Sequence, residues 1–362
     1  MLPRLKSLNV LASGDELLVS LDPKVRVRLA DPDGTVLTLL RLLRDGTRSP
    51  DELATDVGID DVRPVLDQLD GLGWLEDASR PSSFDAHDTE RYASNLAFFD
   101  AFTTLSHGRD ELQERLRSAH VLVLGAGGLG SAVLMNLAGL GVGALTVVDQ
   151  DLVELRNFAR QFTYTEAEIG QPKADRVADW LRAFDTSLRV ESHRRRVEST
   201  DDVAALIVAT RPDLVVSAID EPDEVDRWVN QACVTAGVPF VRGGLAYTQG
   251  LYWSVDPGRS ACRECLERHR DRLADGIDRE IVDRPRVLRQ DRVNRAIGPV
   301  AGVLGGLVAM EALRFLTRLS EPIAAGRYQL LDFAGSCETR TDAWPADPEC
   351  PVCAAARAQV AA

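Results

Sequence analysis

Two C-x-x-C pairs, one glycine-rich turn and a few scattered charges are the residues whose types and spacing could do chemistry here. Gly125-Ala126-Gly127-Gly128-Leu129-Gly130 follows the apolar run His120 to Leu124 and opens an apolar helix. Glycines at 125, 127 and 130 give G-x-G-x-x-G spacing. The first permits a tight turn, the second lets a phosphate approach the backbone, and the third lets helix and strand pack closely. Free N–H groups at the helix start favour an anion. Asp149 ends the next apolar run, where a carboxylate accepts ribose hydroxyls. Together these predict a nucleotide site. A tight turn without a ligand and a dinucleotide-dependent dehydrogenase remain open at this point.

The residues that follow favour phosphate chemistry. Arg160 and Lys173 can face the same loop, with Asn157 beside them. Two cations suit a reaction in which negative charge builds on phosphate oxygens. Val215-Val-Ser-Ala-Ile-Asp220 is an apolar strand ending in a carboxylate. At the C-terminal edge of a parallel sheet such an Asp lies in the ligand crevice, and its oxygens suit Mg²⁺ bound to a nucleotide. Cys262-x-x-Cys265 and Cys350-x-x-Cys353 each supply half of a tetrahedral site. Four thiolates make a closed structural Zn²⁺ site with no place for water, and so no catalytic role. Four reduced thiols, or a redox C-x-x-C, are the alternatives. Cys233, in an amphipathic stretch, reads as core.

These residues need a scaffold. Segments 120–124, 145–149, 189–195, 214–218 and 239–242 read as strands. Segments 174–184, 202–210 and 224–236, between them, read as helices. That alternation predicts an α/β domain with a doubly wound, mostly parallel sheet. Residues 1–80 read as a separate small α+β unit. Val25, Val27 and Leu29 form a strand with Leu17–Leu21 as hairpin partner, and helices follow over 36–43, from Pro50, and over 60–72. Trp74-Leu75 returns as a short strand, giving a winged-helix-like shape. Residues 81–90 read as a linker and 91–355 as the larger domain.

Composition narrows the function classes. The chain has 362 residues and a formal net charge of −14, with 45% hydrophobic and 27% charged residues. An acidic chain disfavours nucleic acid and anionic membranes as partners. No uninterrupted apolar run is expected to cross a membrane; 299–316 comes nearest but is glycine-rich and carries Glu311. The N-terminus lacks signal-peptide features, so a cytoplasmic location is expected.

The ordered set GAGGLGS, TVVDQDLVELRNFARQ, IGQPKAD, SAID and GPVAGVLGGLVAMEAL resembles the ThiF/MoeB/HesA superfamily, relatives of the ubiquitin-activating enzymes. The match runs from about Arg91 to Leu316. The resemblance implies a Rossmann-like fold and adenylation, in which a C-terminal carboxylate attacks the α-phosphate of ATP and releases pyrophosphate. It implies that Gly125, Gly127, Gly128 and Gly130 form the nucleotide loop and that Asp149 holds the ribose. Asn157, Arg160 and Lys173 would contact phosphates, Asp220 would hold Mg²⁺, and Asp151 and Gln161 would shape the pocket. It also implies a homodimer, and the cysteine pairs resemble the zinc site of ThiF-like proteins. One position departs from the family: in Arg91-Tyr92-Ala93-Ser94-Asn95 the phosphate-contacting Arg is replaced by Ser94. Relatives that form a covalent thioester or persulfide often carry a cysteine between Cys265 and the glycine-rich helix. None is present here, which favours adenylation without covalent transfer, with Cys337 as the remaining candidate nucleophile.

Segment 266–298 reads as a solvated loop, or as a crossing loop whose Arg284, Arg286, Arg289, Arg292 and Arg295 meet an acidic peptide or phosphates. Residues 40–76 resemble PqqD-type domains, which bind leader peptides of ribosomally made natural products. Residues 1–80 hold 10 Lys+Arg against 15 Asp+Glu, which argues against DNA. The expected function is thus ATP-dependent adenylation of a carboxylate on a precursor peptide. Activation of a small sulfur-carrier protein, or a non-catalytic leader-binding scaffold for a cyclodehydratase, is the alternative.

Overall fold

The structure, a computed structural model, describes residues 1–20, 26–273 and 295–360. Val25 and the arginines at 284, 286, 289 and 292 lie outside the described residues. The chain divides into two compact units, Met1–Glu114 and Arg115–Ala362.

The first unit runs β1 (Pro3–Leu5), β2 (Asn9–Ser13), β3 (Glu16–Ser20), β4 (Val27–Ala30), α1 (Thr35–Leu42), α2 (Pro50–Val57), α3 (Arg63–Gly71), β5 (Leu75–Asp77), α4 (Ala86–Arg91) and α5 (Ala93–Phe99). The expected hairpin is present, with Val19 opposite Val27, but β2 extends it to a three-stranded antiparallel meander. The strand at Leu75 pairs elsewhere, with β1. α2 starts as its residues dictate. Ser49 Oγ accepts the Glu52 N–H at 3.4 Å, Glu52 returns the bond to the Ser49 N–H at 2.7 Å, and Pro50 fills the first turn. Leu43, Leu53, Leu66 and Leu75 are fully buried in the core.

The polar stretch predicted as a linker is part of this unit. Asp85 caps α4 by accepting the Asp88 N–H at 2.8 Å, and Tyr92, Leu96 and Phe99 are buried. Lys6 Nζ donates to Gly73 O and Thr103 O at 2.8 and 2.6 Å, and Asp70 accepts the Leu105 N–H.

The two units divide within α6 (Arg109–Ser118). The second continues with β6 (His120–Leu124), α7 (Gly128–Leu140), β7 (Ala144–Val148), α8 (Lys173–Phe184), β8 (Arg189–His193), α9 (Thr200–Thr210), β9 (Leu214–Ser217) and α10 (Val225–Ala236). Next come β10 (Phe240–Ala246), β11 (Gln249–Val255), α11 (Arg263–Leu273), α12 (Gly298–Thr317), β12 (Arg327–Asp332), β13 (Thr339–Ala343) and α13 (Pro351–Val360). They build an eight-stranded sheet in the order β13-β12-β11-β10-β9-β6-β7-β8. β10 to β8 are parallel, as the alternation of strands and helices predicts, and β11 to β13 extend the sheet antiparallel. The strand order reverses at β6, so a crevice opens between the C-terminal ends of β6 and β9.

α12 corrects one expectation: it is long and apolar enough, by length and composition, to cross a membrane. In this fold it is a core helix. Glu311 is fully buried, and its carboxylate accepts from Ser254 Oγ and from the Ala324 and Ile323 N–H groups. A carboxylate so saturated ties the helix to β11 and to the loop before β12.

Candidate active site

A cavity of about 670 Å³ occupies the crevice, its wall including Gly125, Gly127, Gly128, Asp149, Lys173 and Asp220. The turn after β6 is built around two glycines. Gly125 has φ +98°, and a Cβ there would lie 2.9 Å from Ala218 O. A Cβ on Gly130 would stand 1.9 Å from Gly125 O, so no larger residue fits where α7 meets the turn.

Asp149 supports this turn as well as facing the cavity. Its carboxylate accepts the Ala126 and Asp151 N–H groups, each at 2.7 Å. Burial pushes its pKa above the usual carboxylate value, and the two backbone bonds only partly oppose this. Tyr164, which the sequence patterns did not single out, donates its hydroxyl to Ala126 O at 2.8 Å, and burial pushes its phenol pKa up.

Arg160 lies across the loop, close enough that a Cβ on Gly128 would meet its Cδ at 2.9 Å. Its Nε is buried without a partner among the described residues, as is Oε1 of neighbouring Gln161. Burial lowers the Arg160 pKa, with Arg156 contributing in the same direction. Two orphaned polar atoms beside a glycine loop fit a nucleotide, whose oxygens and hydroxyls can satisfy both. Lys173, at the start of α8, is buried and paired with Asp151 at 2.9 Å. Asp220 follows β9 with its side chain 57% exposed, and Arg242 Nη2 approaches it at 3.4 Å. An open carboxylate of this kind suits one ligand position on Mg²⁺.

Asn157 is not among the residues that wall the cavity. Its Oδ1 accepts the Glu154 N–H at 2.8 Å, and its carbonyl accepts the N–H groups of Arg160 and Gln161, both at 3.0 Å. It holds the turn that presents those two residues, which the phosphate contact implied by the family resemblance did not include. Arg242, in β10, was missed: strand periodicity gave no reason for a cation there. Its guanidinium donates to Asp226 Oδ1 at 2.6 Å from the cavity wall. Arg295 also lines the cavity, 4.4 Å from the ring centre of Tyr247, a residue at φ +61°. Ser94 is exposed on α5 in the first unit, and the Arg91 guanidinium lies 5.8 Å from the Tyr92 ring.

Cys262, Cys265, Cys350 and Cys353 converge, all buried and with their sulfurs within 4.8 Å of one another. Measured pairs are 3.9, 3.7 and 3.6 Å apart. A tetrahedral metal with ~2.3 Å bonds to sulfur needs sulfurs ~3.8 Å apart, so this donor set fits zinc. Trp344 Nε1 donates to Cys262 O at 3.0 Å, and Arg268 and Arg272 pair with buried Asp347 beside the cluster. Cys233 is fully buried, and burial pushes its thiol pKa up. Cys337 is exposed at φ +59°, in the turn after β12, and is not part of the cavity wall.

The chain was compared with protein families, with curated relatives and with solved structures. Residues 94–352 match the ThiF family. Molybdopterin-synthase adenylyltransferase of Salmonella typhimurium strain LT2 is 31% identical over 249 residues, covering 67% of this chain and 90% of that protein. Adenylyltransferase and sulfurtransferase MOCS3-2 of Zea mays is 30% identical over 312 residues, but this chain spans only 59% of it. Among solved structures, E. coli MccB superposes with a TM-score of 0.80 at 21% identity, covering 98% of this chain and 97% of MccB. MccB, described as a microcin C7 biosynthetic enzyme, has been solved with ATP and with N-formylated MccA. PaaA follows with a TM-score of 0.67 at 19% identity, over 93% of this chain. At these identities the likeness to MccB and PaaA carries the fold alone.

Proposed function

The chain belongs to the ThiF family, and from that footing we propose that it is an ATP-dependent adenylyltransferase acting on a carboxylate of a ribosomal precursor peptide. The observation that carries the proposal is one cavity uniting the glycine loop, the orphaned Arg160 Nε, buried Lys173 and open Asp220. The loop N–H groups and α7 would receive the phosphates, and Gln161 and Asp149 the ribose hydroxyls. Arg160 and Lys173 would stabilise charge that builds on the α-phosphate as the carboxylate oxygen attacks and pyrophosphate leaves. Mg²⁺, held by Asp220, would neutralise the remaining phosphate charge. The likeness of the whole chain to MccB, solved with MccA, supports a peptide client.

In the first unit the open edge of β2 would accept an extended leader peptide by strand addition. Its excess of acidic residues favours a basic or neutral leader over DNA. The four cysteines would hold a structural zinc, tying α11 to α13. Exposed Leu152, Leu155, Phe162 and Ile169 would be covered by a second copy.

ATP–pyrophosphate exchange tests the proposal. Exchange stimulated by a precursor peptide is the expected result; nucleotide binding without exchange for any peptide or carrier would refute it. The curated relatives favour a second reading, activation of a sulfur-carrier protein, and exchange with a carrier but no peptide would establish that instead. A pure scaffold would bind no nucleotide.

A further inference from the structure

Arg242 sits in β10 opposite Ser217 of β9, in parallel register, and the chain leaving β9 carries Asp220. Its side chain is only 10% exposed, against 57% for Asp220, so a nearly buried guanidinium lies beside an open carboxylate. Left alone, that cation would neutralise Asp220 and repel a metal ion. Asp226, in the first turn of α10, prevents this by pairing with Arg242 Nε at 2.6 Å. The contact from Nη2 to Asp220, at 3.4 Å, exceeds the usual 2.7–3.2 Å range. Gly244 leaves room for the guanidinium, since a Cβ there would lie 3.1 Å from Nη1.

We infer that Arg242, anchored and neutralised by Asp226, is a positioning residue that orients Asp220 while leaving its charge available to a divalent cation. The inference rests on the proposed nucleotide chemistry and adds a division of labour within it. Asp226 governs charge: without it, Arg242 turns fully to Asp220 and competes with the metal. Arg242 governs position: without it, Asp220 keeps its charge but loses the neighbouring guanidinium that biases its orientation. The two substitutions therefore act on metal affinity in opposite directions, which a merely structural ion pair would not do.

The test uses the full chain and Mn²⁺ as a paramagnetic probe, titrated in the presence of a non-hydrolysable ATP analogue. D226N keeps the shape and an acceptor for Nε, and is expected to weaken Mn²⁺ binding about tenfold. Metal-free affinity for the analogue should change less than about threefold. R242Q is expected to bind Mn²⁺ as tightly as wild type or a few-fold tighter, while its exchange kcat falls about tenfold. The double variant D226N/R242Q should recover wild-type metal affinity but not kcat. Should D226N fail to fold, R242Q carries the test through its split between metal affinity and kcat. Wild-type metal affinity in D226N, or parallel losses of affinity in both single variants, would overturn the inference alone. Failure of the wild-type chain to bind the metal–nucleotide pair would overturn both the inference and the proposed function.

Discussion

In the cysteine tetrad four buried thiols lie within 4.8 Å of one another, with Trp344 and the Arg268–Asp347 pair closing over them. At the glycine loop of the same unit, Asp220 stays open, and Arg160 Nε and Gln161 Oε1 are buried with no partner among the described residues. One site satisfies its groups internally; the other leaves them waiting. A closed donor set has no position for a reactant, whereas incomplete satisfaction is what a ligand can exploit. The contrast separates the part that holds the fold from the part that does the chemistry.

Substitutions should divide along the same line. The largest effect is expected at the tetrad. Cys350→Ser, or metal removal by a chelator, should lower unfolding free energy by of order 5 kcal/mol in denaturant titrations while leaving residual exchange in the fraction still folded. Stability unchanged by chelation would break the comparison. Next, Gly130→Ala forces a Cβ against Gly125 O and should cost about 3 kcal/mol or more, together with nucleotide binding.

Lys173→Ala and Asp220→Ala should each reduce pyrophosphate exchange about 100-fold, roughly 2.7 kcal/mol, with little change in the melting temperature of Asp220→Ala. Normal exchange in both would remove them from the chemistry. Lys173 is buried against Asp151, so its variant should also lose some stability.

Asp149 gives a pH signature. Its carboxyl protonates at a higher pH than an ordinary aspartate because burial outweighs its backbone hydrogen bonds. The folded state therefore takes up that proton more readily than the unfolded chain. Its contribution to stability is greatest in acid and is lost as pH rises through the raised value. Nucleotide affinity should run the other way if ribose hydroxyls donate to the ionised carboxylate. It should fall as pH drops, starting above the range of an ordinary aspartate, and Asp149→Asn should abolish that step in a binding titration. The smallest effect lies in the first unit. Ser49→Ala removes half of the capping box and should cost about 1 kcal/mol, without altering exchange at saturating nucleotide.

What could be read from the residues alone follows from how local the signals are. β6, β7 and β9 announce themselves as apolar runs because both faces are buried, and the loop after β6 because only glycine fits there. β13, Thr339–Ala343, carries no such signal: all five residues are exposed at the sheet edge. Arg160, Gln161, Lys173 and Asp220 line one cavity; Lys173 and Asp220 were legible because one starts α8 and the other follows β9, whereas Gln161 came from the family resemblance. Arg242 was not expected, because its importance depends on Asp220 and Asp226 arriving beside it from two other segments. For Asn157 the family resemblance implied a phosphate contact, whereas the structure shows a bond that residue spacing could not announce: its amide oxygen accepts the Glu154 N–H.

The tetrad also bears on the unfolded chain. Cys262 and Cys350 are 88 positions apart, as are Cys265 and Cys353, and α12 with β12 lies in between. An ion bridging them would close one long loop and remove much of the freedom the denatured chain would otherwise regain. Unlike a disulfide, that bridge is reversible by mass action. The resistance of this unit to unfolding would then rise with the logarithm of free zinc, so the durability of the fold becomes a readout of metal supply.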